Sequence, residues 1–323
     1  MAKPKVVLTR RWPKACEDRA SELFDAEVNR DDKPLGADEL KSALQRIDAL
    51  FPTVTDKITA DILGVANRQA KLIGNFGVGF NNIDVEAAKK NGLVVTNTPD
   101  VLTDCTADIA MTLLLMAARR AGEGERLVRA KGWKGWGPTH MRGTKVTGKT
   151  LGVLGFGRIG RAVAHRAHHG FGMKIIFHDP FPPKDADIAA VGGERRDSVE
   201  AVLREADFVS LHCPALPETR HLMNANTFGQ MKKTAILVNT ARGDVVDETA
   251  LVAALTAGTI AAAGLDVFER EPQVTEALLA MDNVVLLPHL GSATLDTRTA
   301  MGMKVIDNAQ AFFAGKAPPN RVA

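Results

Sequence analysis

The 323-residue chain has no tyrosine, three tryptophans and three cysteines, and aromatic residues make up only 5% of it. Without tyrosine, no phenol can line a pocket. Cys16, Cys105 and Cys213 are scattered, offering neither a disulfide framework nor metal-ligand spacing, a usage that fits a reducing compartment. No stretch approaches the ~18 to 20 apolar residues that a membrane helix requires. The most apolar segment, Ile109 to Ala118, runs into Arg119 and Arg120 and suits a buried helix. The N-terminal apolar run, Val6 to Leu8, is too short for a signal peptide and reads as a first strand. Charges are interspersed, the formal net charge is +3, and no basic tract carries interleaved aromatics. That pattern argues against nucleic acid as a partner. A cytoplasmic protein with neither a membrane nor a nucleic-acid partner is expected.

What is present is the composition of a folded globular protein, 45% hydrophobic and 24% charged. The length suits two domains better than one. Short apolar runs at Val6 to Thr9, Ala49 to Phe51, Leu72 to Asn75 and Leu93 to Thr96 predict strands. Helical periodicity covers Ala15 to Asp25, Ala37 to Gln45, Thr59 to Ala66 and Asn82 to Lys90, and one or two connecting helices follow from Thr103 to about Ala130. A second series of strands comprises Leu151 to Leu154, Lys174 to His178, Phe208 to His212, Ala235 to Asn239, Ile260 to Leu265 and Val284 to Leu287. Such alternation predicts α/β architecture with parallel sheets. The last helix, about Thr294 to Phe313, can return to the first domain. The expected division is 1–100 plus 294–323 and 101–293. No repeat of about 20 to 50 residues is visible.

Gly155-Phe156-Gly157-Arg158-Ile159-Gly160 follows an apolar strand and opens an amphipathic helix. The GxGxxG spacing is weak evidence alone, but this context is the one a dinucleotide-binding turn requires. The first glycine permits the turn, the second lets backbone approach a pyrophosphate, and the third lets helix and strand pack closely. The helix N-terminus then offers free N–H groups to the anion. Asp179 stands 19 residues beyond Gly160, at the end of the next strand, where a carboxylate accepts from ribose hydroxyls and repels a 2′-phosphate. In sequence no arginine adjoins Asp179, and Lys184 is the nearest cation downstream. NAD is therefore favoured over NADP.

Three further segments follow later strands: Asn239-Thr240-Ala241-Arg242-Gly243, Gly264-Leu265-Asp266-Val267-Phe268-Glu269-Arg270-Glu271-Pro272 and Leu287-Pro288-His289-Leu290-Gly291-Ser292. Ligands of open α/β sheets bind beyond the carboxyl ends of the strands, so all three point to one site. Together with the glycine turn and Asp179, these segments resemble the D-isomer-specific 2-hydroxyacid dehydrogenases over essentially the whole chain. Among these, glyoxylate and hydroxypyruvate reductases are the nearest.

The resemblance implies two Rossmann-like domains, flavodoxin-like for the substrate and NAD-binding for the cofactor, with the active site in the cleft between them. It also implies a homodimer. It assigns catalysis to Arg242, Glu271 and His289, and substrate contacts to Val78, Gly79, Arg242, His289, Gly291 and Ser292. Around the cofactor it places the glycine turn with Arg158 and Ile159, then Asp179, His212, Cys213, Pro214, Thr240 and Ala241. Asp266 matches the aspartate near the nicotinamide carboxamide, and Thr106 is expected near the cofactor phosphates.

The chemistry of the triad follows from the residue types. Reduction of a 2-keto acid needs a proton for the carbonyl oxygen, which a histidine supplies near neutral pH. A carboxylate on the other ring nitrogen fixes the tautomer and favours the imidazolium. An arginine can fork onto the substrate carboxylate and carbonyl, which a lysine cannot. A lone histidine after a strand is more often structural, so it is the combination that carries the reading. Glu269 is the rival to Glu271, which is preferred because it precedes Pro272 and stands 29 residues after Arg242, as in the family pattern.

In the first domain, Gly74 to Asp84 is glycine-rich and follows a strand. It reads either as a nest of N–H groups for a small carboxylate or as a plain turn. The Trp133 to Gly148 segment resembles the loop by which the reductases of this family reach a neighbouring subunit, with simple packing as the alternative. The absence of tyrosine argues against a D-lactate type of pocket. His165, His168 and His169 have helical spacing, but nothing completes a metal set, and no metal is expected. The alternatives to a reductase are an NAD(H)-sensing co-repressor and a short phosphoglycerate dehydrogenase, since the chain ends at Ala323 without a regulatory domain. Formate dehydrogenases pair their histidine with glutamine, so Glu271 argues against that activity.

Overall fold

The computed structural model describes residues 2–323. The chain divides into two compact units, one running to Leu102 and resuming over Ala293–Ala323, the other spanning Thr103–Ser292. Among the described residues no helix is long and apolar enough to cross a membrane.

The first unit is built on five parallel strands: β1 (Lys5–Leu8), β2 (Asp25–Val28), β3 (Ala49–Phe51), β4 (Leu72–Gly74) and β5 (Val94–Thr96), in the order β2-β1-β3-β4-β5. Helices α1 (Lys14–Leu23), α2 (Ala37–Leu44), α3 (Ala60–Leu63) and α4 (Val85–Lys90) connect them. Alternation along each strand feeds two cores. Val7, Leu50, Ile73 and Val95 pack with α2, while Val6, Leu8, Phe51 and Leu72 pack with α1 and with Val305, Ile306 and Ala309 of the C-terminal helix. Both faces of a parallel sheet must be covered, and the chain returns at its end to cover the second.

The second unit opens with α5 (Thr103–Arg119) and α6 (Ala121–Arg129). Seven parallel strands follow: β6 (Thr150–Leu154), β7 (Lys174–His178), β8 (Gly193–Arg195), β9 (Phe208–Leu211), β10 (Ile236–Asn239), β11 (Ala262–Leu265) and β12 (Val284–Leu286). Between them run α7 (Arg158–His165), α8 (Asp185–Ala189), α9 (Val199–Glu205), α10 (Ala225–Phe228), α11 (Glu248–Thr256) and α12 (Glu276–Leu279), and α13 (Leu295–Phe313) is the returning helix. The order β12-β11-β10-β9-β6-β7-β8 reverses direction between β6 and β9. That switch point is where doubly wound sheets bind ligands, and the glycine turn after β6 lies on it.

Two strands escape the sequence reading. β2 and β8 carry charged residues and are half-exposed edge strands without an apolar run. The amphipathic helix opened by the glycine turn stops at His165 and continues as one π-helical turn over Arg166–Gly170.

Candidate active site

The glycine turn is shaped by contact. Gly155 has φ +89°, and a Cβ there would fall 2.5 Å from the Cys213 amide nitrogen, so only glycine lets β6 pass the end of β9. A Cβ on Gly160 would stand 2.2 Å from the Gly155 carbonyl oxygen, whereas one on Gly157 would meet nothing within 4 Å. The approach over Gly157 is therefore open, at the N-cap of α7, whose first turn carries no acidic residue. Arg158 is exposed and Ile159 half-buried beside it. Such a surface accepts an anionic pyrophosphate.

Asp179 lies just past β7, and its carboxylate is fixed by two amides, Phe156 N–H at 2.6 Å and Phe181 N–H at 2.8 Å. No arginine adjoins Asp179 in sequence, but the fold brings one to its backbone. β8 pairs with β7 with Arg195 beside Phe177, and the Arg195 guanidinium donates to the Asp179 carbonyl at 3.4 Å. The unrecognised edge strand β8 is the reason.

His212 Nε2 meets Ser210 Oγ at 2.8 Å, while its Nδ1 is buried without a partner among the described residues. Burial pushes its pKa down to about 3, so the ring is neutral at physiological pH. Burial likewise pushes the Cys213 thiol up to about 11. Pro214 is exposed. The hydroxyl of Thr240, a buried residue, also lacks a partner among the described residues. Unpartnered groups at two strand ends, with the open glycine turn and the fixed carboxylate, fit a dinucleotide.

Beyond β10, Asn239 holds the turn: its Oδ1 accepts from Ala241 N–H at 3.0 Å and its Nδ2 donates to the Arg242 carbonyl at 2.9 Å. The next residue, Gly243, presses against the loop after β11, where a Cβ would stand 1.9 Å from the Phe268 carbonyl carbon. This contact brings Arg242 to the loop that carries Glu271. The Arg242 guanidinium donates to the Ala241 carbonyl at 2.7 Å, and its pKa is lowered by burial against the opposing charges of Glu271 and Asp244.

Glu271 Oε1 accepts from Phe268 N–H at 3.0 Å, and Oε2 lies 2.8 Å from His289 Nδ1. Burial works to raise the Glu271 pKa, but the bond and charge of His289, the Phe268 amide and the charge of Arg242 hold it below the ordinary range. Glu269 takes a different partner, His221 Nε2 at 2.9 Å. Asp266 anchors the His289 turn, accepting from Leu290 N–H at 2.6 Å and Gly291 N–H at 2.8 Å, while its backbone carbonyl accepts from His289 N–H. Burial raises the Asp266 pKa against those two amides and the charge of His289. His289 itself has φ +56°, a left-handed conformation held by these bonds. Thr106 donates to the Gly291 carbonyl at 3.0 Å, so its hydroxyl sits by the His289 turn, and Ser292 follows half-buried.

In the first unit, the loop after β4 turns its carbonyls inward. Asn75 Nδ2 donates to Gly79 at 2.9 Å and to Gly77 at 3.3 Å, and Asn97 Nδ2 donates to Val78 at 2.9 Å. Val78 and Gly79 are half-exposed. His168 Nδ1 and His169 Nε2 face the backbone carbonyls of Met173 and Ala190. Among the described residues no three His, Cys, Asp or Glu side chains converge as metal ligands.

Residues 111–291 match the family model described as the D-isomer specific 2-hydroxyacid dehydrogenase, NAD binding domain. The chain belongs to this family. It is 46% identical to a glyoxylate reductase of Thermococcus litoralis, over 99% of this chain and 97% of that protein. The structure resembles an NADPH-dependent glyoxylate/hydroxypyruvate reductase of Sinorhizobium meliloti, solved with NADP and malonate, at a TM-score of 0.89 and 33% identity, covering 100% and 97% of the two chains. It also resembles a glyoxylate reductase from Paecilomyes thermophila, at a TM-score of 0.87 and 31% identity, covering 100% and 99%. The protein is thus an NAD(P)-dependent 2-hydroxyacid dehydrogenase of two α/β units, acting on a small 2-keto acid and its D-2-hydroxy acid. Sequence reasoning named Asn239 only within its segment, without its hold on the Arg242 turn, and missed Arg195 and His221, which meet their partners across strands.

Proposed function

We propose that this dehydrogenase works as a glyoxylate and hydroxypyruvate reductase with NADH as the preferred cofactor, and that it acts as a cytoplasmic homodimer. The observation that carries the mechanism is the 2.8 Å contact of His289 Nδ1 with Glu271 Oε2. It leaves Nε2 free of that bond to hold and deliver a proton. The chemistry supplied by a bound reduced nicotinamide is hydride addition to C2 of the keto acid. His289 donates its Nε2 proton to the former carbonyl oxygen, and the product is the neutral hydroxyl. Glu271 keeps the Nδ1 proton in place and stabilises the imidazolium before transfer. Arg242 binds the substrate carboxylate and polarises the carbonyl, and Val78 and Gly79 are further proposed substrate contacts, through backbone N–H groups. Gly291 and Ser292 line the substrate beside His289.

Asp179 supports the preference for NADH, because a carboxylate there repels a 2′-phosphate. Arg158, Ile159, His212, Cys213, Pro214, Thr240, Ala241 and Asp266 are the remaining proposed cofactor contacts, with Thr106 supporting them through Gly291. Dimer formation is supported by the exposed Trp133 and Trp136, 54% and 84% accessible in the loop after α6. The glyoxylate and hydroxypyruvate preference rests on the similarity to proteins of that name. The test follows NADH and NADPH oxidation with glyoxylate, hydroxypyruvate, pyruvate, phenylpyruvate and phosphohydroxypyruvate. Fast NADH oxidation with the first two is expected. Tight NADH binding without turnover of any of them would replace this reading with a sensor.

A further inference from the structure

Glu248 is a buried carboxylate, 5% exposed, that no step of the reaction uses. It is the first residue of α11, where an acid commonly serves only the helix dipole. Its hydrogen bonds go elsewhere. The N-cap work is done by Asp247, whose side chain accepts from Ala250 N–H at 3.0 Å. Glu248 Oε1 accepts from Glu269 N–H at 2.8 Å, and Oε2 accepts from the Thr275 hydroxyl. One carboxylate therefore grips the loop on both sides of Glu271, two residues before it and four after it. Gly243, just ahead of α11, presses on the same Phe268–Glu269 peptide.

We infer that Glu248 is a positioning residue for the Glu271–His289 pair, fixing the loop so that Glu271 Oε2 meets His289 Nδ1. The inference rests on the proposed role of that pair in proton transfer. Within its own loop Glu271 is held, among the described residues, by the Phe268 amide, and the peptide that follows Phe268 is the one Glu248 holds. A buried carboxylate with two donors is a rigid anchor, since removing it takes the acceptor from two half-buried donors, the Glu269 amide and the Thr275 hydroxyl. A displacement of about 1 Å at the acid–base pair is enough to cost on the order of a hundredfold in turnover.

Other charges around the pair do not replace this anchor. Asp266 holds the His289 side through Leu290 and Gly291, Arg242 acts on Glu271 by charge with Asp244 behind it, and Glu269 is engaged by His221, with Arg220 3.8 Å away. Asp266 bonds the His289 turn and Glu269 the His221 ring, whereas Glu248 bonds the Glu269 amide just ahead of Glu271.

The test compares Glu248→Ala, Glu248→Gln and Thr275→Val in the full-length protein. Three readouts are taken: the low-field proton resonance of the His289 Nδ1–H, assigned by its loss in His289→Asn, steady-state kinetics with glyoxylate and NADH, and Tm. In Glu248→Ala the low-field resonance disappears, kcat falls about tenfold to a hundredfold, and both KM values stay within about twofold. The acid limb of the pH profile moves upward, because Glu271 loses the contact that holds its pKa down. Thr275→Val, missing one of the two bonds, gives a smaller effect of the same kind and remains informative where Glu248→Ala does not fold. Glu248→Gln can accept from Glu269 N–H and donate to the Thr275 oxygen, and it restores most of the resonance. A lowered Tm with the resonance and pH profile unchanged in all three variants would reduce Glu248 to a structural residue and overturn the inference. The proton resonance is read without substrate, so an absence of glyoxylate turnover would count against the proposed function and not against Glu248.

Discussion

Glu269 and Glu271, two residues apart on one loop, face different histidines: Glu269 meets His221 at 2.9 Å and Glu271 meets His289 at 2.8 Å. The two carboxylates are chemically alike, so the separation rests on backbone geometry. Replacing Glu271 by Gln keeps a hydrogen-bond acceptor but removes the negative charge beside the His289 ring. Turnover is expected to fall on the order of a hundredfold, while the same change at Glu269 leaves it within about threefold. Steady-state kinetics of the two variants check this directly, and equal losses would remove the distinction.

The lowered pKa of Glu271 also has a signature in stability. A carboxyl group whose folded pKa is depressed adds stability that is complete above the unfolded value of about 4.3 and is lost as pH falls through the folded value. Glu271→Gln should therefore be less stable than the parent at pH 7, with the gap closing in acid. Denaturant titrations at pH 7 and pH 3.5 measure it, and a gap that widens in acid contradicts the assignment.

His212 titrates with the opposite chemistry. Burial drops its pKa to about 3, so folding favours the neutral ring. The stability it adds is intact above the unfolded value of about 6.5 and declines as pH falls toward 3, by up to about 2 kcal/mol at pH 5. His212→Gln should thus lose less Tm between pH 7.5 and pH 5 than the parent does. An identical loss in both would show that the ring carries no such linkage.

Much of this site is legible along the chain because each segment carries its own local signal. The glycine turn follows an apolar strand, and Arg242, Glu271 and His289 each follow strands that read as buried runs. What is hidden is whatever depends on neighbours across the sheet. Arg195 reaches Asp179 only because the charged edge strand β8 lies beside β7. Glu248 reads as a first-turn acid of α11, and its grip on Glu269 and Thr275 depends on two separate strand connections. The Thr106 hydroxyl is joined to Gly291 across 185 residues. Local pattern gives the element, and its partner is set by topology.

The Arg195–Asp179 contact makes cofactor choice testable by binding alone. Asp179→Ser removes the carboxylate that repels a 2′-phosphate and leaves the Arg195 cation in place. Affinity for 2′,5′-ADP relative to 5′-AMP should rise about tenfold or more, since one charge-assisted hydrogen bond is worth roughly 1.5–3 kcal/mol. Adding Arg195→Gln should cancel most of that gain. Calorimetry on the three proteins reads both effects, and a gain that survives the second change would place the phosphate contact elsewhere.

Two glycines of the second unit make opposite predictions. A methyl group at Gly157 projects into open space with φ at −69°, so Gly157→Ala has no steric reason to destabilise the fold. It would occupy the approach to the α7 N-terminus, and NADH affinity is expected to fall about tenfold or more with Tm nearly unchanged. At Gly243 the added Cβ would lie 1.9 Å from the Phe268 carbonyl carbon and 2.3 Å from the Glu269 nitrogen, and backbone must move to admit it. Gly243→Ala should cost about 3 kcal/mol or more, lowering Tm by about 5–10 °C in a unit of this size. The displaced peptide is the one that supports Glu271, so turnover should fall further than NADH affinity. Thermal melts together with NADH fluorescence titrations separate the two. A Gly157→Ala protein that melts early, or a Gly243→Ala protein that melts like the parent, would contradict the assignment of the first glycine to ligand access and the second to backbone contact.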